Sequence, residues 1–152
     1  MNTKSFLLAG ALVLAAAGGA YWALRPAPLP ASASGAPAGP AAPQPGDPMV
    51  EVRLPDRFSA LEQIGRTAFD AVCAACHGPN AAGRQGMGPP LVHPFFRPGH
   101  HADAAFQRAV QTGVRAHHWR FGDMPPQEGL TTADVRAIVG YVRALQRANG
   151  IR

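Results

Sequence analysis

The stretch Cys73-Ala74-Ala75-Cys76-His77 constrains this chain more than any other. A C-x-x-C-H run reads as the attachment site of a c-type haem. Thiols that add to the two vinyl groups of one haem must lie about one helical turn apart on one face, and this spacing supplies that. The next residue, His77, then projects its imidazole at the iron. Other chemistries use such cysteines. A redox disulfide wants a βαβ surround, and a structural zinc site wants four ligands. Cys73 and Cys76 are the chain's only cysteines, and no strand pattern precedes them.

At 152 residues the chain has room for one modest domain plus appendages. Its formal net charge of +5 is carried almost wholly by arginine, since Lys4 is the only lysine. The arginines are scattered, without a run and without interleaved aromatics, so nucleic acid is not an expected partner. A mildly basic surface facing an acidic protein partner is the better reading.

Residues 1–25 read as a signal-anchor or transmembrane segment. Lys4 and the terminal amine precede an uncharged run from Phe6 to Leu24, which as a helix spans ~28 Å, close to the hydrocarbon thickness of a bilayer. Tyr21 and Trp22 stand where an interfacial aromatic belt would lie. Positive charge at the start favours the N-terminus inside and the remainder outside. The expectation is a single-pass protein of the bacterial inner (cytoplasmic) membrane with its haem domain in the periplasm. Ala15-Ala16-Ala17 also fits a small-residue cleavage site, and cleavage there would leave a soluble periplasmic protein. Residues 26–50 read as a disordered Pro/Ala/Gly-rich linker with almost nothing to bury. Such a chain is semi-rigid and reaches roughly 70 Å when extended.

Residues 51–152 then form the globular domain, predicted to be all-α. Ser59 and Glu62 are spaced as a capping box, and Leu61, Ile64, Ala68, Phe69 and Val72 follow at helical spacing. The cysteine motif ends this helix. The segment Gly78 to Pro90 is too rich in Gly and Pro for a regular element. A second helix is predicted from a cap at Asp103 to Thr112, stopped by Gly113, with Phe106, Ala109 and Val110 on its apolar face. A loop from Val114 to Leu130 holds Met124-Pro125-Pro126. Thr131 and Asp134 start the clearest helix, whose face is Val135, Ile138, Tyr141, Val142 and Leu145, with Gly150 beyond it. With so few elements, the haem itself must supply much of the core.

From about Leu61 to its end the chain resembles a class I c-type cytochrome, here in a membrane-anchored form. Gly65 and Phe69 match first-helix positions that pack against an aromatic of the last helix, here Tyr141. Cys73, Cys76 and His77 match the attachment motif, Gly88-Pro89-Pro90-Leu91 the family's G-P-x-L turn, and Met124-Pro125 its distal M-P motif. The resemblance implies three to four helices wrapped around one covalently bound haem c. It implies His77 and Met124 as the iron's axial ligands, with the Pro89 carbonyl accepting a hydrogen bond from His77. Met87 is a rival to Met124, and either thioether could instead simply fill core. The anchor and the linker lie outside the resemblance.

His100-His101 and His117-His118 are adjacent pairs, with His93 near. Neighbouring residues on a loop point apart, so one pair is a poor chelator. Converging pairs would make a surface copper or zinc site, or serve as distal haem ligands were Met124 displaced. Arg97, Trp119 and Arg120 are candidates to meet haem propionates. Two axial ligands leave no open coordination site, so the expected role is one-electron transfer and not catalysis, between respiratory-chain or periplasmic partners such as an oxidase, reductase or dehydrogenase. The alternatives are a haem subunit of an exported dehydrogenase or reductase complex, and a haem sensor with a labile distal ligand.

Overall fold

The computed structural model describes residues 42–152. Residues 1–25, expected to form a membrane segment, and the expected linker up to residue 41 lie outside the described residues. Among the described residues no helix is long and apolar enough to cross a membrane.

The all-α class is what these residues adopt. Helix α1 (Ala60–Val72) opens on the expected capping box: Ser59 Oγ accepts from the Glu62 N–H, and the Glu62 carboxylate accepts from the Ser59 N–H at 2.8 Å. Cys73 closes α1, and the chain re-forms a single turn, α2 (Ala74–His77), so the cysteines straddle a break and do not share the last turn of one helix. Helix α3 (Asp103–Thr112) is capped differently from expectation. Its N-cap is Ala102, whose methyl can make no capping bond, and the Asp103 carboxylate is taken instead by Arg143 Nε at 2.8 Å. Helix α4 (Thr132–Ala148) starts on the Thr131–Asp134 capping box.

The core lies where α1 crosses α4. A methyl group built on Gly65 would stand 1.9 Å from the Ala137 carbonyl oxygen, so only glycine lets the two backbones approach this closely. The crossing brings Phe69 to Tyr141, with ring centroids 5.5 Å apart, and both rings are fully buried. Ile138, Val142 and Leu145 of α4 join them with Leu91 and Val92 of the loop before α3. Leu61 and Ile64 do not join them; they are 49% and 59% exposed, because the face that meets α4 is centred on Gly65 and Phe69. A smaller cluster of Val110, Val135 and Val139 seats α3 on α4.

Two further sets of bonds fasten the irregular segments to this core. The N–H groups of Met49 and Val50 donate to the Ala82 carbonyl, and the Gly46 N–H to that of Gln85. The last residues assigned to the linker are therefore bonded to the domain. Arg143, buried near the end of α4, donates to the carbonyls of Phe96 and His101 and to the Gln146 side chain, besides Asp103. Its guanidinium lies 5.0 Å from the Phe106 ring centroid. One cation thus satisfies two carbonyls of the segment before α3, whose short 3-10 turn at Pro94–Phe96 leaves them without backbone partners.

Candidate functional site

The cysteine turn sets the geometry of the site. The amides of Cys76 and His77 both donate to the Cys73 carbonyl, at 3.2 and 2.9 Å, so the thiols stand one turn apart. Cys73 is half-buried, Cys76 is exposed, and both are free thiols. Burial, and then the neighbouring Cys76, push the Cys73 thiol up to about 11.

The glycine-rich loop folds back onto this turn. The Gly83 N–H donates to the His77 carbonyl at 2.7 Å, Arg84 reaches the Ala75 carbonyl at 2.7 Å, and Arg84 and Gly88 close the loop on each other. A methyl on Gly88 would stand 2.6 Å from the Cys76 carbonyl oxygen, so the loop lies directly against the motif. That approach puts the Pro89 carbonyl 2.8 Å from His77 Nδ1. A carbonyl only accepts, so Nδ1 carries the proton and Nε2 keeps its lone pair. Burial lowers the pKa of His77 against the opposing pull of the Pro89 bond, which holds the ring neutral. A neutral, desolvated, oriented imidazole is the form that binds a metal.

Cys73, Cys76, His77 and Pro89 line a cavity of about 530 Å³, a size usual for cofactor sites. Phe69, Leu91, Phe96, Phe106, Val110 and Ile138 make its walls apolar. Met124 lines it as well, from the loop after α3. The amide and carbonyl of Met124 pair with those of Val114 at 2.9 Å each way. Gly113, in the left-handed region at φ +74°, leaves room for this strand-like pass, because a methyl there would stand 2.5 Å from the Met124 carbonyl oxygen. Met87 also reaches the cavity but is 45% exposed and belongs to the turn packed on Cys76.

Of the residues considered for propionates, Trp119 lines the cavity, stacked on Phe96 at 5.9 Å. Arg97 and Arg120 do not; Arg97 instead donates to the Pro94 carbonyl at 3.0 Å. The cations at the cavity are Arg108 of α3 and Arg115 just beyond it. Sequence spacing did not single these out, because their approach depends on how α3 is rotated over the cavity.

The residues present therefore fit a covalently held haem: paired thiols one turn apart, a neutral imidazole, a thioether and an apolar cleft. Neither alternative for the cysteines gains support. They lie on a helical turn and not in a βαβ unit, and among the described residues they belong to no group of three or more metal-binding side chains.

Comparison with known proteins agrees with this reading. The family model for cytochrome c matches residues 62–146. The Cbb3-type cytochrome c oxidase subunit CcoP of Cereibacter sphaeroides is 32% identical over 102 residues, which is 64% of this chain and 32% of that protein. The chain therefore matches about a third of the length of this curated relative. No solved structure matches it. The chain belongs to the cytochrome c family, a carrier of covalently attached haem c whose iron serves electron transfer.

Proposed function

We propose that this protein is a mono-haem electron carrier in which Cys73 and Cys76 each form a thioether and His77 and Met124 bind the iron. The observation that carries the assignment is the Pro89 carbonyl at 2.8 Å from His77 Nδ1, on the cavity wall that also holds both cysteines. That bond fixes the tautomer and orientation of the proximal imidazole and raises its basicity as a ligand. The haem, when bound, supplies a one-electron couple that a soft thioether ligand shifts toward the ferrous form. The chain's part is to orient the imidazole, to hold the Met124 backbone through Val114, and to keep water off the iron with apolar walls. Residues 1–25 anchor the carrier to the outer face of the inner membrane, and residues 26–50 tether the haem domain, residues 51–152, in the periplasm.

A second reading places the chain inside an oxidase or another respiratory complex. It is favoured by the similarity to an oxidase subunit. Both readings share the same haem chemistry and differ in whether the partner is permanent. Haem should stay with the polypeptide after acid and organic extraction, and Cys73→Ala/Cys76→Ala should release it. Haem that extracts freely from the unmodified protein would overturn the attachment. Affinity purification from solubilised membranes separates the two readings, since only a complex subunit brings its partner in fixed ratio.

A further inference from the structure

Four histidines meet beside the haem cavity, outside the set assigned to the iron; His101, His117 and His118 line that cavity and His100 does not. His100 and His101 precede α3, and His117 and His118 come from the loop after it. The rings of His100 and His101 have centroids 4.7 Å apart, each lies 5.7 Å from His118, and His117 lies 4.3 Å from His118. His93 stands farther off, against Phe95 and Trp119. His100, His101 and His118 each offer a ring nitrogen, and the three nitrogens lie within 4.8 Å of one another. Nitrogens bound to one tetrahedral ion at 2.0–2.1 Å stand ~3.4 Å apart. Small ring rotations close that gap.

Further observations point to a bound ion. His101 Nδ1 donates to the Phe95 carbonyl at 2.6 Å, so its Nε2 presents a lone pair. A backbone carbonyl on the far nitrogen is the usual second contact of a metal-binding histidine. His118 Nε2 is buried with no hydrogen-bond partner among the protein's groups, so it is free to take an ion. The scaffold is also held in place. Arg143 binds the His101 carbonyl, and the His118 ring stacks on Phe95 at 4.5 Å.

We propose that His100, His101 and His118 form a second metal site, for Cu²⁺ or Zn²⁺, separate from the haem iron. Three imidazoles and no carboxylate suit these ions and not Ca²⁺ or Mg²⁺, which take oxygen ligands. Of the two, Cu²⁺ binds the more tightly. Three protein ligands leave a fourth position open. The ion cross-links the segment before α3 to the loop after it, which also carries Met124. The site requires that His118 is not itself the sixth iron ligand, the role proposed for Met124.

The test uses the full-length haem-loaded protein, stripped of other metals with a chelator and titrated with ZnCl₂ or CuCl₂. One zinc or copper per haem iron is expected, with copper showing three nitrogen ligands by electron paramagnetic resonance, and a higher Tm with the metal than without. His100→Gln removes an exposed ligand that does not line the haem cavity. It should keep the haem spectrum and weaken metal binding by more than the 10–100-fold that follows loss of a second-shell partner. The metal-dependent rise in Tm should vanish with it. His93→Gln should bind metal as the unmodified protein does. Absence of stoichiometric binding overturns the proposal, and so does binding unchanged by His100→Gln. A haem spectrum showing two axial imidazoles that is lost in His118→Gln also overturns it, by placing His118 on the iron. Failure of covalent haem attachment would be read separately, since zinc content and Tm are measured without reference to the haem spectrum.

Discussion

Met124 and Met87 both reach the cavity wall, so the choice between them rests on what holds each backbone. Met124 is pinned by reciprocal bonds to Val114 and followed by two prolines, which restrict its backbone. Met87 sits in an exposed turn packed against Cys76, on the side of the attachment motif. Met124→Ala should leave the haem covalently attached, lower the midpoint potential, and admit carbon monoxide to the reduced protein. Met87→Ala should do none of these. The absorption spectrum with and without carbon monoxide reads the outcome, and the reverse order would transfer the ligand role to Met87.

Helix packing decides whether the cavity exists at all. Gly65→Ala places a methyl against the Ala137 backbone carbonyl, which no side-chain rotation relieves. Alanine gains about 1 kcal/mol in helix propensity, but the overpacking costs about 1–3 kcal/mol or more. Net destabilisation by denaturant melting is expected, with Phe69 and Tyr141 forced apart. The capping boxes give α1 and α4 a pH dependence. Burial opposes the charge on Glu62, but hydrogen bonds from the Ser59 amide and hydroxyl and the Arg147 guanidinium prevail and lower its pKa. The Thr131 hydroxyl and amide lower that of Asp134. Each depressed carboxylate contributes stability that is complete above its unfolded value, near 4.5 for Glu62 and 3.8 for Asp134, and is lost as the pH falls through the folded value. Glu62→Gln should therefore lower stability at pH 7 and differ little from the unmodified protein once both titrations are complete. An equal difference at both extremes would show that the carboxylate charge contributes nothing.

For the whole molecule the question is how the haem domain meets its partner. The uncharged run from Phe6 to Leu24, followed by a proline-rich stretch, motivates the tether. The intact protein should sediment with membranes and stay there in high salt, which would release a protein held only by its arginines. Replacing residues 1–25 with a cleavable signal should give a soluble domain with an unchanged haem spectrum. Electron delivery to a membrane partner should then fall at low protein concentration, because a tether makes the encounter intramolecular and raises the effective concentration to the order of millimolar. Shortening the linker within residues 26–41 should impair turnover once the donor and acceptor sites can no longer be spanned. Mature protein beginning near Tyr21 in the soluble periplasmic fraction would instead show cleavage. Turnover indifferent to linker length would favour a permanent complex.

The motif spacing, the two capping boxes and the apolar face of α4 were legible along the chain, because each depends on residues within a turn or two of one another. These alone determined the helical class and the covalent-haem reading. Contacts between segments distant in sequence were decided by packing. Leu61 and Ile64 fit the helical period, yet the close approach at Gly65 turned α1 so that they face solvent. Asp103 looked like a cap until Arg143, forty residues on, claimed its carboxylate. Arg108 and Arg115 reach the cavity only because of how α3 lies on α4. The histidine pairs are each a weak signal, since neighbours on a loop diverge. Only the tertiary fold, with Arg143 holding one loop and Val114 pinning the end of the other at Met124, brings His118 beside His100 and His101.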